Sequence, residues 1–383
     1  MNETILIKHL EDIQPQLQAA IQRLVAIYSV EGEASQEAPF GPGPKAALLE
    51  ALTIAEELGF TTKNIDHKVG YAQYGEDHPD GYIGIFGHVD VVAPGEGWQH
   101  DPLACEIEDN RMYGRGVLDN KGPILTNLFA LYVLKELGVR FPYPVRIVFG
   151  TNEETGFKCV THYLTKENPP LFGWTPDCKW PVVYGERGRV RLRLSSQDEH
   201  VADLYQFVND FILSSTNDGR KLGIHFSDDD FGTVVMRGYQ LRKEAGHSFE
   251  FSISYPAACT KKQLVAQITR HLSPTIRIDV LSNWDPVLYD KSSSYVQTLQ
   301  QAYNDCTGKD ATPVTTTGGT FAKIVPNIIA YGPSFPGQTD IAHLPDEWID
   351  LDDLKMNTRI YGLALARLKT VLEQEIDMKK EEN

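Results

Sequence analysis

Cysteine is scarce in this chain. Five occur in 383 residues, at Cys105, Cys159, Cys178, Cys259 and Cys306, and none forms a CxxC pair. An odd, scattered set argues against a disulfide framework and against a cysteine zinc knuckle. Positive charge is also short: 36 basic against 52 acidic side chains give a formal net charge of −16. That balance argues against nucleic acid or an anionic membrane as partner. No apolar run reaches membrane-spanning length, and MNETILIKHLEDIQ lacks the apolar core of a signal peptide. No internal repeat or low-complexity tract interrupts the chain. The expectation from these absences is a protein of the reducing cytoplasm.

What is present suffices for a large core. The 383 residues are 42% hydrophobic, a length that favours two domains over one. The organising stretch is Tyr82 to Asp90, YIGIFGHVD. It is short, apolar and β-prone, as a strand buried on both faces should be. In an open α/β sheet, ligands bind beyond the carboxyl ends of strands, and His88 and Asp90 stand at such an end. A spacing of two puts both side chains on one side of extended backbone. There the Asp90 carboxylate can take the second N–H of the His88 imidazole and leave the other nitrogen for a metal.

Apolar periodicity predicts one long helix from about Glu3 to Val30, a breaker at Gly41-Pro42-Gly43-Pro44, and a helix from about Lys45 to Leu58. A strand pair around Asp66-His67 follows, and then the central strand. After a Pro- and Gly-rich loop, Asp119 stands just before a helix running from Pro123 to Leu137. A strand from Val145 to Gly150 ends in Glu153-Glu154, two adjacent acids that repel one another unless a cation is near. A strand from Pro181 to Gly185 comes next. Beyond Arg187 the segments read β-α-β-α-β, which suits a small inserted α+β domain. From Ser292 the larger domain resumes. It has a helix to Cys306, a helix opened by Thr315 to Thr320, a strand from Ile328 to Gly332, a loop reaching His343, and a last helix from Leu351 to Glu373 with a frayed tail. The expected division is 1–186 with 287–383 for the larger domain and 187–286 for the insert.

The candidate metal ligands are His88, Asp119, Glu154, Asp177 and His343. All are oxygen or imidazole donors at strand ends or in loops, a mix suited to Zn²⁺, Mn²⁺ or Co²⁺. A two-cation site needs one shared acid, two further ligands per metal and a separate base for the attacking water. Glu153 and Asp90 are left over for base and orienter.

Read together, HVDVV, GRGVLDNKG, NEETG, TPD with GERG, TTTGGTFAK and FPGQTDIAH with PDE resemble the metallopeptidase family typified by ArgE, DapE and carboxypeptidase G. The likeness is greatest to its dipeptidases of the PepV and Sapep type. It implies a zinc-peptidase-like α/β catalytic domain, with a mostly parallel central sheet flanked by helices, and a ferredoxin-like α+β lid. It implies two divalent metals, zinc first and manganese or cobalt next. His88 and Asp177 would hold one, Glu154 and His343 the other, and Asp119 both. Glu153 would be the general base, Asp90 would orient His88, and Thr317, Gly318 and Gly319 would line the substrate's docking wall. The peptide bond after Asp119 would be cis. The implied activity is hydrolysis of a dipeptide or small peptide by a hydroxide held between the metals. Deacylation of N-acyl amino or diamino acids, or a weakly active peptide-binding relative, are the alternatives.

The chain departs from that pattern in its insert. PepV-type lids are longer, are built of two similar halves, and carry a histidine in an Ala-His-Gly or Ala-His-Ala context. No such triplet occurs here; His225 and His247 are the nearest candidates, and Ser254-Tyr255-Pro256 lacks the arginine that usually precedes Tyr-Pro. What survives looks like the second half alone, and a homodimer through the lid could restore the missing contacts.

Overall fold

The computed structural model describes residues 2–244 and 246–381. The chain divides into two compact units. The first holds the chain up to Val183, Asp290–Pro313 and everything from Thr320 on; the second holds Tyr184–Tyr289 and Val314–Gly319. No helix among the described residues is long and apolar enough to cross a membrane.

The first unit is built on one mixed sheet. Its strands run in the order Thr61–Ile65, Val69–Tyr74, Val145–Gly150, Ile83–His88, Phe172–Thr175 and Ile328–Ala330. Val145–Gly150, Ile83–His88, Phe172–Thr175 and Ile328–Ala330 are mutually parallel, and the strands from residue 61 to 74 add an antiparallel edge. Ile83–His88 and Val145–Gly150 are buried along their whole length, as parallel strands covered on both faces must be. The helix Lys121–Glu136 packs on Ile83–His88 and against the long helix Leu351–Glu381. Phe172–Thr175 was not anticipated. Phe172, Trp174 and Thr175 are β-prone, but a run of four broken by Gly173 is too short to stand out, and its place is set by pairing with both neighbours.

Other boundaries also moved. The expected single N-terminal helix is two, Glu3–Asp12 and Gln14–Val25. Pro15 lies in the first turn of the second; it has no N–H to donate and its ring would collide with a carbonyl of the preceding turn. The supposed breaker at residues 41–44 is the first turn of the helix Pro42–Glu57, where missing N–H groups cost nothing. The threonine-glycine run opens no α-helix. It gives a short strand, Val314–Thr316, and then one 3₁₀ turn, Phe321–Lys323. The last helix runs on to Glu381, through most of the tail expected to fray, and residues 382–383 lie outside the described part.

The second unit is a four-stranded antiparallel sheet ordered Val235–Glu244, Gly246–Tyr255, Gly188–Ser196, Arg277–Trp284. With the helices Val201–Phe207 and Lys261–Thr269 it makes the β-α-β-β-α-β ferredoxin-like arrangement. Val190, Leu192 and Leu194 point into an apolar core with Phe249, Phe251 and Ile253. Val235–Glu244 is the strand missing from the sequence reading. Its pairing register shifts between Arg237 and Gln240 around Gly238, whose φ is +69°, so the period-two pattern is broken at a bulge.

Candidate metal centre

Strand ends of the first unit converge on a cluster of acids and imidazoles. His88, the last residue of Ile83–His88, is fully buried. Its Nε2 lies 3.1 Å from Asp119 Oδ1 and 3.7 Å from Asp177 Oδ2. The Nε2 of His343 lies 2.9 Å from the other oxygen of Asp119 and 3.0 Å from Glu154. Asp119 thus faces one imidazole with each carboxylate oxygen. The donor atoms of His88, Glu153 and Asp177 all lie within 4.8 Å of one another, as do those of His88, Asp119 and Glu154.

Local sequence explains these placements. The peptide bond Asp119–Asn120 is cis. The loop then turns straight into the helix at Lys121, and a Cβ on Gly122 would sit 2.0 Å from the Val117 carbonyl oxygen. A Cβ on Gly87 would sit 2.5 Å from Asn120 Oδ1, which accepts the N–H of His88 at 3.3 Å. Asn120 Nδ2 donates to the carbonyl of Pro176, next to Asp177, at 2.5 Å. One amide therefore ties the loops of three candidate ligands together. His343 has φ +66°, in the left-handed region, within a tight turn.

Asp90 behaves differently from the simplest expectation. The nearest acceptor to His88 Nδ1 is the main-chain oxygen of Asp90 at 2.9 Å, while the carboxylate is 3.6 Å away. Asp90 Oδ2 instead accepts the N–H of Glu154 at 3.1 Å, and Oδ1 is buried without a hydrogen-bond partner. Asp90 thereby links the end of the central strand to the Glu153-Glu154 turn.

The electrostatics are those of crowded acid. Burial, with Asp177, Asp119 and Glu154 close by, holds the Glu153 carboxyl well above the usual range. Burial and Asp119 push Asp177 up to about 7. Burial opposes charge on His88, but its hydrogen bond to Asp119 and the nearby carboxylates of Asp177 and Asp90 raise it well above an ordinary histidine. Hydrogen bonds to Asp119 and Glu154 raise His343 to about 10. Burial would raise Asp119, yet the two imidazoles hold it well below the usual range. The nearby buried cations are engaged elsewhere: Lys121 Nζ donates to the Ile27 carbonyl at 2.7 Å, and Arg115 pairs with Glu347 at 2.6 Å. Oxygen and imidazole donors crowded within reach of one another, beside the partnerless buried carboxylate oxygen of Asp90, fit divalent cations.

All seven residues expected to bind metal or take part in the chemistry, His88, Asp90, Asp119, Glu153, Glu154, Asp177 and His343, lie in the first unit and meet in this cluster. Thr317, Gly318 and Gly319 belong to the second unit, where the Gly318 N–H bonds Thr316 Oγ1 at 3.2 Å. His225 and His247 also belong to it; His247 lies 2.7 Å from the Tyr205 hydroxyl, and His225 lies 3.3 Å from Asp218. Sequence reasoning assigned no role to Asn120, Arg115 or Glu347. Their signal was present, since all sit inside the quoted GRGVLDNKG and PDE motifs.

Residues 84–367 match peptidase family M20/M25/M40. "Putative dipeptidase YtjP" of Bacillus subtilis is 28% identical, covering 91% of this chain and 96% of that protein. The Beta-Ala-Xaa dipeptidase of Lactobacillus delbrueckii subsp. lactis is 27% identical, covering 91% and 95%. That alignment runs to 449 positions against a chain of 383, so the relative carries segments this chain lacks. Among solved structures, human carnosine dipeptidase 1 superimposes with a TM-score of 0.73 at 16% identity, covering 97% of this chain and 99% of its own. A dinuclear metal-binding M20 peptidase of Bacillus subtilis, YXEP, gives 0.58 at 13% identity, covering 93% and 99%.

Proposed function

The chain belongs to peptidase family M20/M25/M40 and is a metal-dependent peptidase; from that premise we propose that it hydrolyses dipeptides or other small peptides at a two-cation site. The carrying observation is Asp119, with one carboxylate oxygen beside His88 and the other beside His343. In this reading His88 and Asp177 hold one cation, Glu154 and His343 the second, and Asp119 is shared. Zinc is the first choice, with manganese and cobalt as substitutes. When bound, the cations supply a water of lowered pKa and polarise the scissile carbonyl.

The chain's own residues do the rest. Glu153 is a partly buried carboxyl whose proton affinity is raised by desolvation and by Asp177, the character of a general base for water. It accepts that proton as the water oxygen bonds to the carbonyl carbon. It returns the proton to the amide nitrogen as the C–N bond breaks, so that a carboxylate and an amine leave. Asp90 orients the pair: its main-chain oxygen faces His88 and its carboxylate holds the N–H of Glu154. The backbone at Thr317, Gly318 and Gly319 is assigned to substrate docking. A PepV/Sapep-type dipeptidase with a shortened lid, working in the cytoplasm, is the finer reading. It is supported by the Beta-Ala-Xaa relative and by the excess length of its alignment.

The test is a paired assay. Purified protein loaded with Zn²⁺, Mn²⁺ or Co²⁺ is offered free-amine dipeptides and their N-acylated counterparts. Faster release of amino acids from the free-amine set supports the dipeptidase. Preference for the acylated set would assign a deacylase, and turnover of neither would leave a binding protein.

A further inference from the structure

Glu347 and Arg115 do something no part of the hydrolytic reading requires. Glu347 follows His343 by four positions and is completely buried. Its Oε1 accepts three main-chain N–H groups, from Gly116, Leu118 and Asp119, each at 3.0 Å. Its Oε2 takes the Arg115 guanidinium at 2.6 Å, and its main-chain oxygen accepts the Gly114 N–H at 2.9 Å. Arg115 is itself 1% exposed, and its other terminal nitrogen donates to the carbonyl of Leu344, the residue after His343, at 3.2 Å. The grip is reciprocal. A carboxylate from the His343 segment holds the backbone of the Asp119 loop, and a guanidinium from the Asp119 loop holds the backbone beside His343.

Converging backbone N–H groups form a concave anion site, and here the anion is the protein's own side chain. A buried ion pair is weak evidence for stability, because an apolar pair of similar volume often does as well. What an apolar pair cannot do is fix three amides of one loop on a single atom. The position of that atom sets where the Asp119 backbone sits, while the same residue anchors the turn that presents His343.

We propose that Glu347, with Arg115, is a positioning residue that holds Asp119 and His343 in register so that both can engage the same cation. The proposal rests on the two-cation reading above. It makes Glu347 neither a ligand nor a proton donor.

The experiment uses the full chain and Glu347→Gln. An amide is isosteric, but its NH₂ must face either the guanidinium or the three N–H groups, donors against donors. Three quantities are read: Mn²⁺ and Zn²⁺ affinity by competition with a chromophoric chelator, hydrogen exchange at amides 116, 118 and 119 in metal-free protein, and kcat and KM at saturating metal. Metal affinity should fall by roughly 10- to 100-fold, the usual cost of losing a group that orients ligands. Exchange at those amides should quicken, and kcat should fall while KM for a dipeptide holds. Glu250→Gln is the control. Glu250 is a buried carboxylate paired with Arg191 and Arg193 in the second unit, and its loss should move neither metal affinity nor these amides. Wild-type affinity and protection in Glu347→Gln would overturn the proposal, as would an equal loss of affinity in Glu250→Gln. If Glu347→Gln does not fold, Arg115→Lys decides. It keeps a cation for Glu347 and loses the reach to Leu344, so affinity should fall with the amides still protected, and unchanged affinity would overturn the idea. A wild-type chain that binds neither cation would sink the two-cation reading, and the amide exchange would still decide whether Glu347 holds the loop.

Discussion

The two units use charge in opposite ways. In the sheet of the second, Arg189, Arg191 and Arg193 alternate with Val190, Leu192 and Leu194, so the charges point outward and the core stays apolar. The buried carboxylate of that sheet, Glu250, is neutralised by Arg191 and Arg193 at 2.5 and 2.6 Å. In the first unit His88, Asp90, Arg115, Lys121 and Glu347 are all no more than 1% exposed, and they cluster where parallel strands end. Burying ionisable groups is costly unless they are paired or hold a cation. The second unit follows the rule of a folding core. The first gathers its most deeply buried charged and imidazole side chains in one place, and that place is the site.

That contrast can be broken in four ways, and the largest effect comes first. Glu153→Gln should lower kcat by about two to four orders of magnitude with metal content kept, whereas Glu154→Ala should lose metal. Elemental analysis beside steady-state kinetics separates them, and equal metal loss in both would mean the roles are misassigned. Next, Phe251→Ala in the apolar core of the second unit should cost about 3–5 kcal/mol of stability and leave the metal-to-protein ratio unchanged. Loss of metal in that variant would blur the division of labour.

Chelation comes third. Ligands that bind only the folded state stabilise it by about 2.7 kcal/mol at a hundredfold excess over Kd. Removing metal should therefore lower the melting temperature, and Zn²⁺, Mn²⁺ or Co²⁺ should restore it. A melt indifferent to verified metal removal would count against the crowded-acid account.

The smallest effect is in pH. Without metal, burial and Asp119 raise Asp177 to about 7, and hydrogen bonds to Asp119 and Glu154 raise His343 to about 10. Both folded-state values lie above the ordinary ones, so the folded chain binds more protons than the unfolded chain, and stability must fall as pH rises. The Asp177 contribution is lost between about 4 and 7, and the His343 contribution between about 6.5 and 10. Melting temperatures of metal-free protein should decline across these windows, and bound metal, which displaces the protons, should flatten the slope. A rise with pH would reverse the sign and reject the assignment.

Much of the site was legible before the fold. His88, Asp119, Glu153, Glu154, Asp177 and His343 could be found because glycines and prolines around them mark loops at strand ends, and because adjacent carboxylates have few bland explanations. The parallel strands Ile83–His88 and Val145–Gly150 announced themselves by short, largely apolar and β-prone runs, the second interrupted only by Arg146. What escaped was set by tertiary pairing. Phe172–Thr175 is too short to stand out and is held by pairing with two neighbours, and Val235–Glu244 is disguised by its bulge. Asn120, Arg115 and Glu347 escaped for a related reason. Their importance lies in partners more than fifty positions away, His88 apart, and no local pattern states who holds whom.

The central claim is that these ligands hold two cations around Asp119. Crystals of the metal-loaded protein, measured on both sides of the zinc or manganese absorption edge, test it most directly. The account predicts two anomalous peaks, one between His88 and Asp177 and one between Glu154 and His343, with Asp119 touching both. A single peak, or a second peak whose ligands exclude Asp119, would contradict it.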